Sequence, residues 1–81
     1  MARVSAKQDD AGQLAKLGRA IRTQRTALGL SQEALADAAG IDRSHMGKIE
    51  RGQRNVTILN VIRIAGALDR KLSLILADAG L

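Results

Sequence analysis

Two short helical stretches, each closed by a glycine and separated by a single residue, are what most restricts the folds open to this chain. Ser31 is a good N-cap, and Glu33 sits in the first turn, where the helix dipole favours an anion. Leu35, Ala36 and Ala39 make the inward face of a very short helix that stops at Gly40. After Ile41, Asp42 caps a further helix running to about Arg51, with Gly52 as its stop. The spacing is demanding. Ala36 must be small because the following helix crosses over it, and Gly40 must turn the chain with positive φ, which costs glycine nothing. Ile41, Met46 and Ile49 anchor both helices to one core. The second helix has only Met46 and Ile49 on its apolar side, too thin a stripe to hold it in place. Its other face, polar and basic, therefore has a use. Two short helices joined by a tight glycine turn are the physical content of a helix-turn-helix, here about Ser31 to Gly52.

The flanking segments supply the rest of a small core. Residues 1–8 are polar and aperiodic and read as a loose arm carrying Arg3 and Lys7. Asp9 or Asp10 can cap the first helix, with Gln13 completing a capping box from Asp10. Leu14, Leu17, Ile21 and Leu28 then share one helical face, and Gly29 ends it. Arg25 falls on that same apolar face, so its charge requires a partner. Thr57 caps a fourth helix whose Ile58, Leu59, Val61, Ile62, Ile64, Ala65 and Leu68 cover more than one side. Such a helix is expected to be buried on two sides, by its own core and by a second subunit. The resulting division is an arm (1–8), a DNA-binding domain (9–69) and a dimerisation tail (70–81), with Leu68, Leu72, Leu74 and Leu76 as dimer contacts. In the tail, Leu72, Leu74 and Leu76 alternate like a strand, whereas Leu72, Ile75 and Leu76 suit a helix. The strand is the favoured expectation, because Lys71 is a poor helix cap and Leu74 would face solvent in a helix.

Composition excludes more than it selects. An 81-residue chain makes one thin-cored domain that gains from association with a second copy. The absence of cysteine removes disulfides and thiolate metal sites, and one histidine with scattered carboxylates makes no ligand cluster. No metal site, cofactor or catalytic residue is expected, and no nucleophile–base pair or phosphate-cradling glycine loop is visible. The net charge of +5 favours a polyanionic partner, and without aromatic residues to stack bases that partner should be duplex. No long apolar run follows Met1 and no stretch reaches the length of a membrane span, so a cytoplasmic protein is expected.

The stretch LGLSQEALADAAGIDRSHMGKIERG resembles the phage-repressor-like (Xre, Cro/repressor-type) helix-turn-helix family, over roughly Leu14 to Leu68. The resemblance implies an all-α domain of four or five helices, a repressor or autoregulator binding an inverted repeat as a homodimer. It also implies a partner for Arg25: the family often pairs an arginine of the first helix with a glutamate ending the recognition helix, here Glu50. Two branches fit. DRSHMGKIERGQRN is similar to restriction–modification controller proteins, which should end in a dimerising helix. LDRKLSLILADAG resembles HipB-like antitoxins, whose tail is a short strand and whose second partner is a toxin protein.

Within a helix-turn-helix, the N-terminal residues of the recognition helix meet base edges, so Arg43 and Ser44 come first. Gly47 and Lys48 share that face one turn later, and Arg43 or Lys48 can donate to guanine O6 and N7. Phosphate contacts are expected from Gln32 at the start of the preceding helix, from His45 at the edge of the face, and from Arg51, Arg54 and Asn55 beyond it.

Overall fold

Side-chain caps decide where each helix begins. The computed structural model describes residues 5–81, and Arg3 of the expected arm lies outside them. A 3-10 turn, Ala6–Gln8, precedes helices α1 (Gln13–Ala27), α2 (Gln32–Ala39), α3 (Arg43–Glu50), α4 (Ile58–Ala67) and α5 (Leu72–Asp78). The described residues contain no strand. Ser31 Oγ accepts from the Ala34 N–H at 3.0 Å, and Thr57 Oγ1 from that of Asn60 at 3.1 Å. Asp42 Oδ2 accepts from both Ser44 and His45 N–H groups. Each such cap stabilises its helix by about 1 kcal/mol.

The start of α1 keeps one of its two expected caps and loses the expected capping box. Asp9, not Asp10, does the capping, its two oxygens accepting from Gln13 N–H at 2.9 Å and Leu14 N–H at 2.7 Å. It does so across a left-handed Gly12, and Gln13 is the first helical residue instead of a box partner. The box-type contact lies earlier, where Ser5 N–H donates to Gln8 Oε1 at 2.7 Å. That places the exposed Lys7 on an ordered turn inside the stretch read as loose.

All five helices contribute to one core. Its fully buried large side chains are Ile21, Leu35, Met46, Ile49, Ile64, Leu68 and Ile75. Ala36 has no exposed surface, as a helix crossing over it requires, and the linking Ile41 is buried as well. Leu28 is not in the core. It caps the end of α1 at 55% exposure, and Leu30, beyond the left-handed Gly29, packs against the core instead.

The tail is a helix and not the expected strand. Alternation of Leu72, Leu74 and Leu76 ignores Ile75, the most deeply buried residue of the segment. Ile75 and Ala79 are buried while Leu72 and Leu76 are half-buried, the spacing of one helical face. Burying that face outweighs the weak start, since Lys71 at the N-cap offers no side-chain bond. The Asp78 carboxylate at the far end accepts from Gln24 of α1 and pairs with Arg70 at 3.4 Å. Leu74 does face solvent, at 47% exposure. Leu68 is a second correction: at 1% exposure it belongs to the chain's own core and has no surface to offer a partner.

Helices α1 and α3 approach backbone to backbone through two glycines. A Cβ on Gly18 would lie 2.5 Å from the Ile49 carbonyl oxygen and closer still to that of Glu50. A Cβ on Gly52, already at φ +71°, would lie 2.7 Å from Ala15 Cα. Gly18→Ala therefore has to push α3 away and should cost on the order of 1–3 kcal/mol. Gly66→Ala, in a helix and facing open space, should instead gain up to about 1 kcal/mol. Thermal melts of the two variants should move in opposite directions; equal shifts would contradict the close crossing.

Candidate nucleic-acid interface

The recognition helix α3 is held by its last residue. Glu50 ends the helix with its side chain turned inward, 1% exposed, and Arg25 of α1 meets it with a two-pronged contact. Arg25 Nε donates to Glu50 Oε2 at 2.7 Å and Nη2 donates to Oε1 at 3.0 Å. Arg25 Nη1 donates to the Leu30 carbonyl at 2.8 Å, which ties in the turn before α2. The pairing implied by the family resemblance is present. It explains how an arginine sits on an apolar helix face.

A third member of the cluster is not foreseen in the sequence. Gln32 Nε2 donates to Glu50 Oε1 at 3.0 Å, so one carboxylate joins α1, α2 and α3. Nothing in the local sequence signals this contact between residues 18 positions apart. It arises because the turn at Gly40 folds the start of α2 against the end of α3. Gln32, expected to donate to a phosphate, has one amide proton directed inward and its Oε1 toward Gly47. Among the described residues, no buried side-chain nitrogen or oxygen lacks a hydrogen-bond partner.

With its inner side fixed, α3 presents its other face openly. Arg43, Ser44, Gly47, Lys48 and Arg51 line one shallow concavity together with Gln32 of α2. All four residues expected to meet base edges thus lie on one surface, and Arg51 and Gln32 join them. His45 is half-buried and does not line that concavity. Arg54 and Asn55 are exposed on the loop between α3 and α4, where with Gln53 and Ser5 they line a separate recess. Asp42, the acidic group beside the concavity, is engaged in capping α3. The surface therefore offers guanidinium, ammonium and hydroxyl donors, suited to phosphate oxygens and base acceptors.

The chain is similar to known proteins. The model of the helix-turn-helix family matches residues 21–75. Control protein C.SmaI of Serratia marcescens is 39% identical over 61 residues, covering 75% of this chain and 73% of that protein. The crystal structure of the restriction–modification controller protein C.AhdI from Aeromonas hydrophila superposes with a TM-score of 0.76 at 50% identity. That match covers 76% of this chain and 94% of C.AhdI. The clp gene regulator ClgR of Corynebacterium glutamicum matches with a TM-score of 0.81 at 25% identity, covering 84% and 88% of the two chains.

Removing one side of the buried pair should be far costlier than its net contribution, because a charge is left behind unpaired. Glu50→Ala should lower stability by about 3–5 kcal/mol, seen as a large fall in denaturation midpoint. A midpoint unchanged from wild type would mean that the carboxylate is not what braces α3.

Proposed function

The chain belongs to the helix-turn-helix family, and from that premise we propose that it is a transcriptional regulator that binds duplex DNA sequence-specifically, as a homodimer on an inverted repeat. The observation that carries this reading is the concavity beside α3, where Arg43, Ser44 and Lys48 stand together on a helix braced from behind by Glu50. The similar proteins named above are controllers and a gene regulator, which supports regulation over catalysis. The controller-like branch is favoured, because the segment it expects as a helix, and the other branch as a strand, is α5. The antitoxin reading rested on a tail strand and has no support without it. No helix among the described residues is long and apolar enough to cross a membrane.

Arg43 and Lys48 are assigned to base edges with Ser44 beside them, and Arg54 and Asn55 to the phosphate backbone. His45, half-buried at the edge of α3, is left to phosphate. Gln32 keeps a phosphate role through its second amide proton, which would couple a backbone contact to the buried Glu50. The dimer face is placed on the outer side of α4. Ile58, Leu59 and Ile62 are 67%, 54% and 50% exposed there, neighbouring apolar side chains of the kind that mark a protein–protein contact. Of the tail leucines expected at the dimer contact, Leu74 of α5 keeps substantial exposed apolar surface for a partner, Leu72 and Leu76 being half-covered already.

Selection of bound sequences from random duplex DNA should recover an inverted repeat with half-sites about one helical turn apart. Recovery of no enriched sequence would refute the reading. Arg43→Ala should relax one base position at a cost of about 1–3 kcal/mol, whereas Arg54→Ala should weaken all sequences evenly and reduce the salt slope by about 1. Ile62→Lys, on the exposed side of α4, should leave the fold intact and shift sedimentation from dimer to monomer. An unchanged dimer would move the interface elsewhere.

A further inference from the structure

Arg43, Gly47 and Arg51 succeed one another at four-residue spacing, so they stack along one line of α3. The middle position is empty, and the Arg51 side chain occupies it. A Cβ built on Gly47 would stand 3.1 Å from Nη1 and 3.6 Å from Nη2 of Arg51. The guanidinium therefore lies back over Gly47, one turn toward the helix start. Arg51 Nε also donates to Gln53 Oε1 at 3.1 Å, which holds the side chain near its root. Gly47 is buried although it has no side chain, and Arg51 is exposed above it. A glycine inside a helix is disfavoured against alanine, and here it provides the space for this guanidinium.

We propose that Gly47 makes Arg51 a second base-reading arginine. With no side chain at position 47, the Arg51 guanidinium sits over the middle turn of α3, on the surface it shares with Arg43 and Lys48. From there its planar fork is placed to donate to guanine O6 and N7, further along the groove than the base met by Arg43. This replaces the phosphate role first assigned to Arg51, and it rests on the reading of α3 as the DNA-reading helix.

The test is site selection from random duplex, with affinities for the selected and a scrambled duplex, on wild type, Arg51→Ala, Arg51→Lys, Gly47→Ala and the Gly47→Ala/Arg51→Ala pair. Arg51→Ala should lose the preference for one guanine per half-site and bind the selected duplex roughly 10- to 100-fold more weakly. Its affinity for scrambled duplex should fall only a few-fold. Arg51→Lys keeps the charge and should lose the same guanine. Gly47→Ala should melt no lower than wild type, yet lose that position too, and the double variant should be no worse than Arg51→Ala alone. Equal loss on selected and scrambled duplex, with the selected sequence unchanged, would overturn the proposal and return Arg51 to the phosphates. A wild-type protein that selects no sequence would instead overturn the reading of α3 on which the proposal rests.

Discussion

The Glu50 carboxylate is the point on which the geometry of this domain depends. It lies almost fully out of solvent and receives donors from Arg25 on α1 and Gln32 on α2. A buried ion pair of this kind adds little net stability compared with apolar packing, since desolvation offsets much of the attraction. Its effect is directional. Apolar contacts from Met46 and Ile49 would tolerate rotation of α3 about its axis, but a two-pronged guanidinium contact at the helix end does not.

Two glycines make that brace possible. Gly18 lets the carbonyls of Ile49 and Glu50 come down onto α1, and Gly52 lets the chain leave α3 against Ala15. The end of α3 is thus seated on α1 by backbone contact as well as by charge. The consequence is functional. Because the inner side and the end of α3 hold it against the other helices, Arg43 and Arg51 stay exposed on its other side. A helix held loosely would have to give up some of that face to packing.

Much of this was legible from residues close together in the chain. Ser31, Asp42 and Thr57 cap the helices they were expected to cap, and Gly40 and Gly52 turn the chain with positive φ. The inward faces of α2 and α3 follow from three- and four-residue spacing. The misreadings share a cause, which is competition between local preference and distant contact. Leu28 matches the period of α1 but comes after the helix has ended, so Leu30 enters the core in its stead. The expected box from Asp10 to Gln13 gives way because Asp9, the other expected cap, reaches past a left-handed Gly12 to cap α1.

By itself, the sequence determined the helix-turn-helix, its caps and turns, the basic face of α3 and the need for a partner to Arg25. Each is a property of residues within about one or two turns of one another, where hydrogen-bond geometry and helical period decide the outcome. Only the tertiary structure decided that the tail is a helix, that Leu68 lies inside and Leu74 outside, and that Gln32 joins the Glu50 pair. It also placed Arg51 over Gly47, on the same surface as Arg43. These outcomes depend on which helix lies across which. A seven-residue segment with mixed periodicity takes the form whose apolar face finds a surface to cover, and for α5 that surface is the side of α1 and α4.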